Sequence, residues 1–282
     1  MTTARVGPSD WLWKEGGGYY TETTGELVLR PLLPDIGRPR DRRLFDLFER
    51  HCGLGPGSRV LEAGCGRSRW LPFLGLRLGC RVVGIDIEPR AADLAIANLR
   101  GAGVEGDIVC GDAFALHRRE DLRGAFDVVY SMGVLEHFAD VVGRISSLAF
   151  YLKPGGRILT TVPNLQGLNW LLQRLGDLRT LQAHVVYDTP DLVKVHEAAG
   201  FQTIAAGYAG FFDAYVSSSA GCTSRLRRAT HARTCRALGR GAEGWLRLLR
   251  GCGTPEMRYL APHVFYVGSR GPGPWRDAAV LR

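Results

Sequence analysis

The chain has 282 residues, 45% hydrophobic and 23% charged, which suits one large α/β domain with an insertion and excludes a disordered or fibrous chain. Its net charge of +8 is carried almost wholly by arginine, since lysine occurs only at Lys14, Lys153 and Lys194, and so uniform a bias reflects genome base composition at least as much as a polyanionic partner. There is no apolar leader, no run of about 18 apolar residues, and no CxxC pair among seven scattered cysteines, so the expectation is a cytoplasmic protein with no membrane span, no disulfide framework and no zinc ribbon.

Residues 1–40 read as an irregular, aromatic-rich arm, and a helix is predicted from about 41, with Leu44, Phe45, Leu47 and Phe48 on one face. Strands are predicted at 59–63, 81–86, 106–110, 126–131 and 156–162, separated by helices at 67–78, 89–100, 115–122 and 138–151. Pro89 suits a first helical turn, Gly101 a C-terminal cap, and "LKPGG" at 152–156 a turn entering a strand. A helix at 189–199, a strand "FQTIAAGY", a basic helical insertion over about 215–255 and a last strand at 263–269 follow, with a loose tail from Gly271. Alternating strands and helices imply a Rossmann-like α/β fold: a mostly parallel seven-stranded sheet with helices on both faces, spanning 41–270 as one domain.

The stretch "VLEAGCGRSRW" carries a strand into Gly64-x-Gly66 and on into a helix. Bare backbone there lets a ligand approach unpaired N–H groups at a helix start. A dinucleotide fingerprint wants a third glycine where this chain has Arg69, so the two glycines alone leave a simple tight turn open. Three acids narrow the choice. Glu62, Asp86 and Asp112 close the first three strands and fall on one edge, where open parallel sheets bind their ligands. An acid after the second strand can accept from two ribose hydroxyls, and one after the third from an adenine amino group. Glu62 can orient the loop or meet a ligand ammonium.

The stretches "VLEAGCGRS", "VVGIDIEP", "GDAF", "FDVVYSMGVLEHF" and "LKPGGRILTTVPN" together resemble the class I S-adenosylmethionine (SAM)-dependent methyltransferases, in family order across about 59–164. The resemblance implies SAM as cofactor. Glu62, Gly64 and Gly66 would line its methionine part with Ser68 at the third small position, Asp86 would hold the ribose and Ile87 pack on adenine. Asp112 and Ala113 would flank the adenine edge, and Ser131 and Met132 close the site. Trp11, Trp13, Tyr19 and Tyr20 are expected to form a lid, with Tyr20 reaching the cofactor.

Two histidines are the expected bases: His137, which follows the fourth strand, and His184, beside Tyr187 and Asp188. Some quinone-pathway relatives bind a metal through E-x-x-E-H at this place. Here Gly133 replaces the first acid, Glu136 and His137 make a partial set, and no metal is expected. The expected acceptor is a small molecule of specialised metabolism, seated between the arm, residues 164–188 and the insertion, whose eight arginines and single acid, Glu243, read as a solvated face, a roof for an acidic acceptor or an anionic-surface contact. Neither a Pro-Pro-aromatic motif in place of "SMGV" nor a Pro-Cys pair is present, so a nucleic-acid substrate is not expected; a SAM-binding protein without transfer activity stays open.

Overall fold

The computed structural model describes residues 31–115, 119–213, 216–219, 221–248 and 257–271. The lid aromatics, Tyr20 included, lie outside them, as does the tail beyond Gly271. Helix α1 (Pro39–Leu47) continues into a π-helical turn, Phe48–Cys52, and its Leu44, Phe45, Leu47 and Phe48 are all buried. Then come β1 (Arg59–Ala63), α2 (Trp70–Leu78), β2 (Arg81–Asp86), α3 (Pro89–Gly101), β3 (Gly106–Cys110), β4 (Phe126–Met132), α4 (Val141–Ala149) and β5 (Leu152–Pro163). The chain continues with α5 (Gly167–Gly176), α6 (Leu178–Ala183), α7 (Thr189–Ala198), β6 (Phe201–Ala209), α8 (Arg225–Leu248) and β7 (His263–Arg270).

The seven strands form one sheet in the order β3-β2-β1-β4-β5-β7-β6. All neighbours run parallel except β7, which inserts antiparallel between β5 and β6. Apolar side chains fill both sides. One core joins α1, α2 and α3 to the sheet through Phe45, Leu71, Leu74 and Leu99, and the other joins α4 and α7 through Ile145, Leu148 and Leu192. Strand order reverses between β1 and β4, which opens a crevice at their carboxyl ends.

Several boundaries differ from the sequence reading. The predicted helix at 115–122 is reduced to a 3-10 turn at Glu120–Leu122 in the described part of that segment. Helix α2 starts at Trp70 because the preceding loop holds Gly64 and Gly66 at positive φ, 72° and 51°. Helix α3 runs through Gly101, and Gly103, at φ 66°, takes the left-handed position instead. "LKPGG" is a bulge inside β5: pairing jumps from Phe126 opposite Leu152 to Val128 opposite Arg157, with Gly155 at φ 75°. Asp140 caps α4 by accepting from the Gly143 N–H, which starts that helix later than expected.

Candidate active site

Strands β1 and β2 carry buried acids at their carboxyl ends, Asp86 facing backbone N–H groups and Glu62 facing two side-chain hydroxyls. Asp86 accepts from Gly66 N at 2.6 Å and from Glu88 N at 3.0 Å. Its side chain therefore holds the glycine loop against the start of α3. Burial raises its pKa, opposed by those two backbone bonds. A carboxylate offers about four acceptor positions, so two remain for ligand hydroxyls.

Glu62 is 5% exposed. It accepts from the Ser68 hydroxyl and, at 2.9 Å, from the Tyr130 hydroxyl. Burial pushes its pKa up to about 8, against the lowering effect of both hydroxyls. Of the two roles open in the sequence, the geometry favours orienting the loop. Ser68, at φ 21°, in turn accepts from Leu71 N at 3.0 Å and so joins loop to helix. Asn98 completes the brace, donating to Ser68 O at 2.6 Å and to Leu32 O at 2.9 Å.

The glycines divide their work. A Cβ on Gly64 would lie 2.5 Å from Val134 Cγ2, so this residue is bare because the loop after β4 packs on it. Gly66 is the glycine whose N–H meets Asp86. Arg69, where a dinucleotide fingerprint has its third glycine, pairs with buried Asp41 and ties α1 to the loop.

The remaining expected contacts rim the same edge. Ile87 is 61% exposed just beyond β2, an apolar surface at the crevice mouth. Asp112 accepts from Phe114 N at 2.8 Å and leaves its other oxygen 3.9 Å from the Arg144 guanidinium. Ala113 is buried, and its carbonyl accepts from Tyr151 at 2.8 Å. Met132 packs at the core's margin, while Ser131 is fully buried with an Oγ that has no hydrogen-bond partner. An acidic rim, a loop of bare glycines, an exposed isoleucine and an unsatisfied hydroxyl fit a nucleoside bearing a cationic tail.

The two histidines, far apart in sequence, meet. The rings of His137 and His184 stand 4.6 Å apart. Glu136, His137 and His184 can each present one donor atom, all within 4.8 Å of one another. Val185 N donates to Glu136 O at 2.8 Å, which pins the His184 loop beside the 3-10 turn Leu135–His137. His184 Nδ1 faces the Thr180 carbonyl, which can only accept, so Nδ1 carries the proton and Nε2 keeps its lone pair. Burial lowers both pKa values, that of His137 to about 3 with a further push from His184, and raises that of Glu136 to about 8. Both rings are neutral at pH 7, fit either to take a proton or to bind a cation. The sequence argument against a metal weighed only Glu136 and His137, and His184 is the third donor it did not join to them. Asp188, by contrast, is a helix cap: with Asp191 it forms a capping box on α7. Tyr187 is buried.

A family model described as a methyltransferase domain matches residues 36–206. A ubiquinone biosynthesis O-methyltransferase of Nitrobacter winogradskyi is 34% identical over 162 residues, 55% of this chain and 58% of that protein. Phosphoethanolamine N-methyltransferase 1 of Arabidopsis thaliana is 26% identical over 144 residues, 49% of this chain and 29% of that protein. The chain thus spans little more than half the length of the O-methyltransferases it matches, 58% and 55% in two of them. Among solved structures, the [4+2]-cyclase SpnF superposes with a TM-score of 0.55 at 19% identity, covering 87% of this chain and 88% of that one. Geranyl diphosphate C-methyltransferase from Streptomyces coelicolor A3(2), solved with S-adenosyl-L-homocysteine, gives 0.52 at 17% identity, covering 82% and 76%. At such identities the likeness is one of fold.

Proposed function

The chain belongs to the methyltransferase family, and on that premise we propose that it binds SAM at the β1–β4 crevice and methylates a small-molecule acceptor of biosynthetic metabolism. The observation that carries the reading is Asp86, a buried carboxylate that braces the glycine loop with half its acceptor positions and keeps the rest for ribose hydroxyls. Ile87 offers the adenine an apolar face, and Asp112 accepts at its edge. Glu62, through Ser68 and Tyr130, fixes the shape of the glycine loop before the ligand arrives.

When bound, SAM supplies a methyl group on a sulfonium, an electrophile whose leaving group is a neutral thioether. What this chain adds is placement and a sink for a proton. An acceptor O–H or N–H held beside His184 gives its proton to Nε2 as its bond to carbon forms, and His137 packs on that ring to hold it in place. Relatives named as O- and N-methyltransferases support a small acceptor and leave the atom type open. A neighbour named as a cyclase is a reminder that the fold also carries other chemistry. Incubation with methyl-labelled SAM and trial phenols and amines tests transfer: label moving to an acceptor supports it, and bound cofactor with no transfer to any of them favours the non-transferring alternative.

A second reading rests on the grouping of Glu136, His137 and His184. Two neutral imidazoles and one carboxylate within 4.8 Å suit a divalent cation, which would offset the cost of burying the charged form of Glu136. We favour the metal-free reading, in which His184 Nε2 accepts the proton without a cation.

A further inference from the structure

Helix α5 turns Leu172 inward but leaves other large apolar side chains outside. It buries Asn169 and Gln173, at 0% and 1% exposure, and leaves Trp170, Leu171 and Leu175 at 39%, 45% and 57%. Asn169 donates to Ala261 O at 2.9 Å, and Gln173 donates to Asp177 O at 2.8 Å while accepting from Ser218 N at 2.7 Å. These bonds fix the helix rotation with Trp170, Leu171 and Leu175 outward. Leu178, at the start of α6, extends the exposed stripe at 48%. Exposed large apolar groups gathered on one face mark a contact surface, whereas single ones need no explanation.

The charges around the stripe name its partner. Arg174 lies over the Trp170 ring at 5.0 Å, and Arg179 is exposed beside Leu178. The only acid between Gly167 and Ala183 is Asp177, 5% exposed and engaged by Thr180 and Gly221. Arg227 donates to Leu175 O at 3.2 Å, which brings the first turn of α8 against the end of α5. Arg225, Arg227, Arg228, Arg233, Arg236 and Arg240 of α8 are all exposed, because its buried positions are His231, Cys235 and Ala242, packed on Leu172. Helix α8 also lies beyond residue 206, where the family match ends.

We propose that the α5–α6 face, flanked by the arginines of α8, docks on the surface of a bilayer containing anionic phospholipid. Leucines and a tryptophan enter the headgroup–acyl boundary, and guanidiniums pair with lipid phosphates. A polynucleotide would satisfy the arginines but would leave the leucines in water.

Co-sedimentation of the full chain with phosphatidylcholine vesicles, with and without phosphatidylglycerol, tests this. Binding is expected only to the anionic vesicles, falling as salt rises. The Leu171→Ser/Leu175→Ser protein should bind at least about tenfold more weakly at an unchanged melting temperature. Arg228→Gln/Arg233→Gln, at two exposed arginines of α8, should weaken binding without touching the apolar stripe. No binding to anionic vesicles at low salt, or equal binding by the leucine variant, overturns the proposal. Light scattering that shows a dimer which the leucine variant dissolves would assign the face to a second copy instead.

Discussion

Replacing Glu62 with glutamine should change how stability depends on pH. The carboxyl is buried, which pushes its pKa up to about 8 from the ordinary carboxylate range. The folded state therefore holds a proton that the unfolded chain has released, and stability falls as pH rises through this window. At about 1.4 kcal/mol per pKa unit, Glu62 alone should remove roughly 3–4 kcal/mol between pH 5 and pH 8. Glutamine keeps the shape and the bonds to Ser68 and Tyr130 without titrating. Urea unfolding of both proteins, free of ligand, gives the difference curve. Glu136, also raised to about 8, contributes the same slope to both proteins and cancels. Parallel curves for wild type and Glu62→Gln across pH 5–8 would refute the buried, proton-holding role of Glu62.

Gly64→Ala should destabilise the fold by about 1–3 kcal/mol, since its Cβ meets Val134 Cγ2 at 2.5 Å on a φ of 72°. Thermal melting checks this, and Val134→Ala in the same chain should restore part of the loss. His184→Ala should cut turnover by about 10²–10⁴-fold while leaving S-adenosylhomocysteine affinity within twofold of wild type. Because burial lowers the His184 pKa, the acidic limb of the wild-type rate profile should fall below the ordinary histidine value near 6.5, and a limb at or above it would count against this base. Chelator treatment should leave turnover unchanged, and a loss restored by magnesium or zinc would instead support the cation reading of Glu136, His137 and His184.

The strands were legible because each is an apolar run closed by an acid or glycine, and β1, β2 and β3 match their predicted limits. Gly103 and the β5 bulge were not, because a left-handed position depends on where the last helical hydrogen bond falls, not on which glycine comes first. The loop brace left signals that were readable but unused. Asn98 sits on the buried stripe of α3 with Ala91, Ala95 and Leu99, where a polar residue must have a partner. Tyr130 stands in register beside Glu62 across the switch point. The meeting of His137 with His184 carried no such signal, since it depends on how residues 164–188 fold back over β4. Arginine count alone could not say which face of α8 is buried: His231, Cys235 and Ala242 turn inward, and Arg225, Arg227, Arg228, Arg233, Arg236 and Arg240 are exposed.

The central claim is that the strand edge binds SAM through Asp86, and calorimetry with S-adenosylhomocysteine on wild type and Asp86→Ala tests it most directly. Two ribose hydrogen bonds to a buried carboxylate contribute roughly 1.5–3 kcal/mol each. Wild type should bind, and the variant, shown by its melting curve to be folded, should bind at least about tenfold more weakly, since about 1.4 kcal/mol is one decade. Equal affinity in a folded Asp86→Ala protein, or no binding by wild type, would contradict the account.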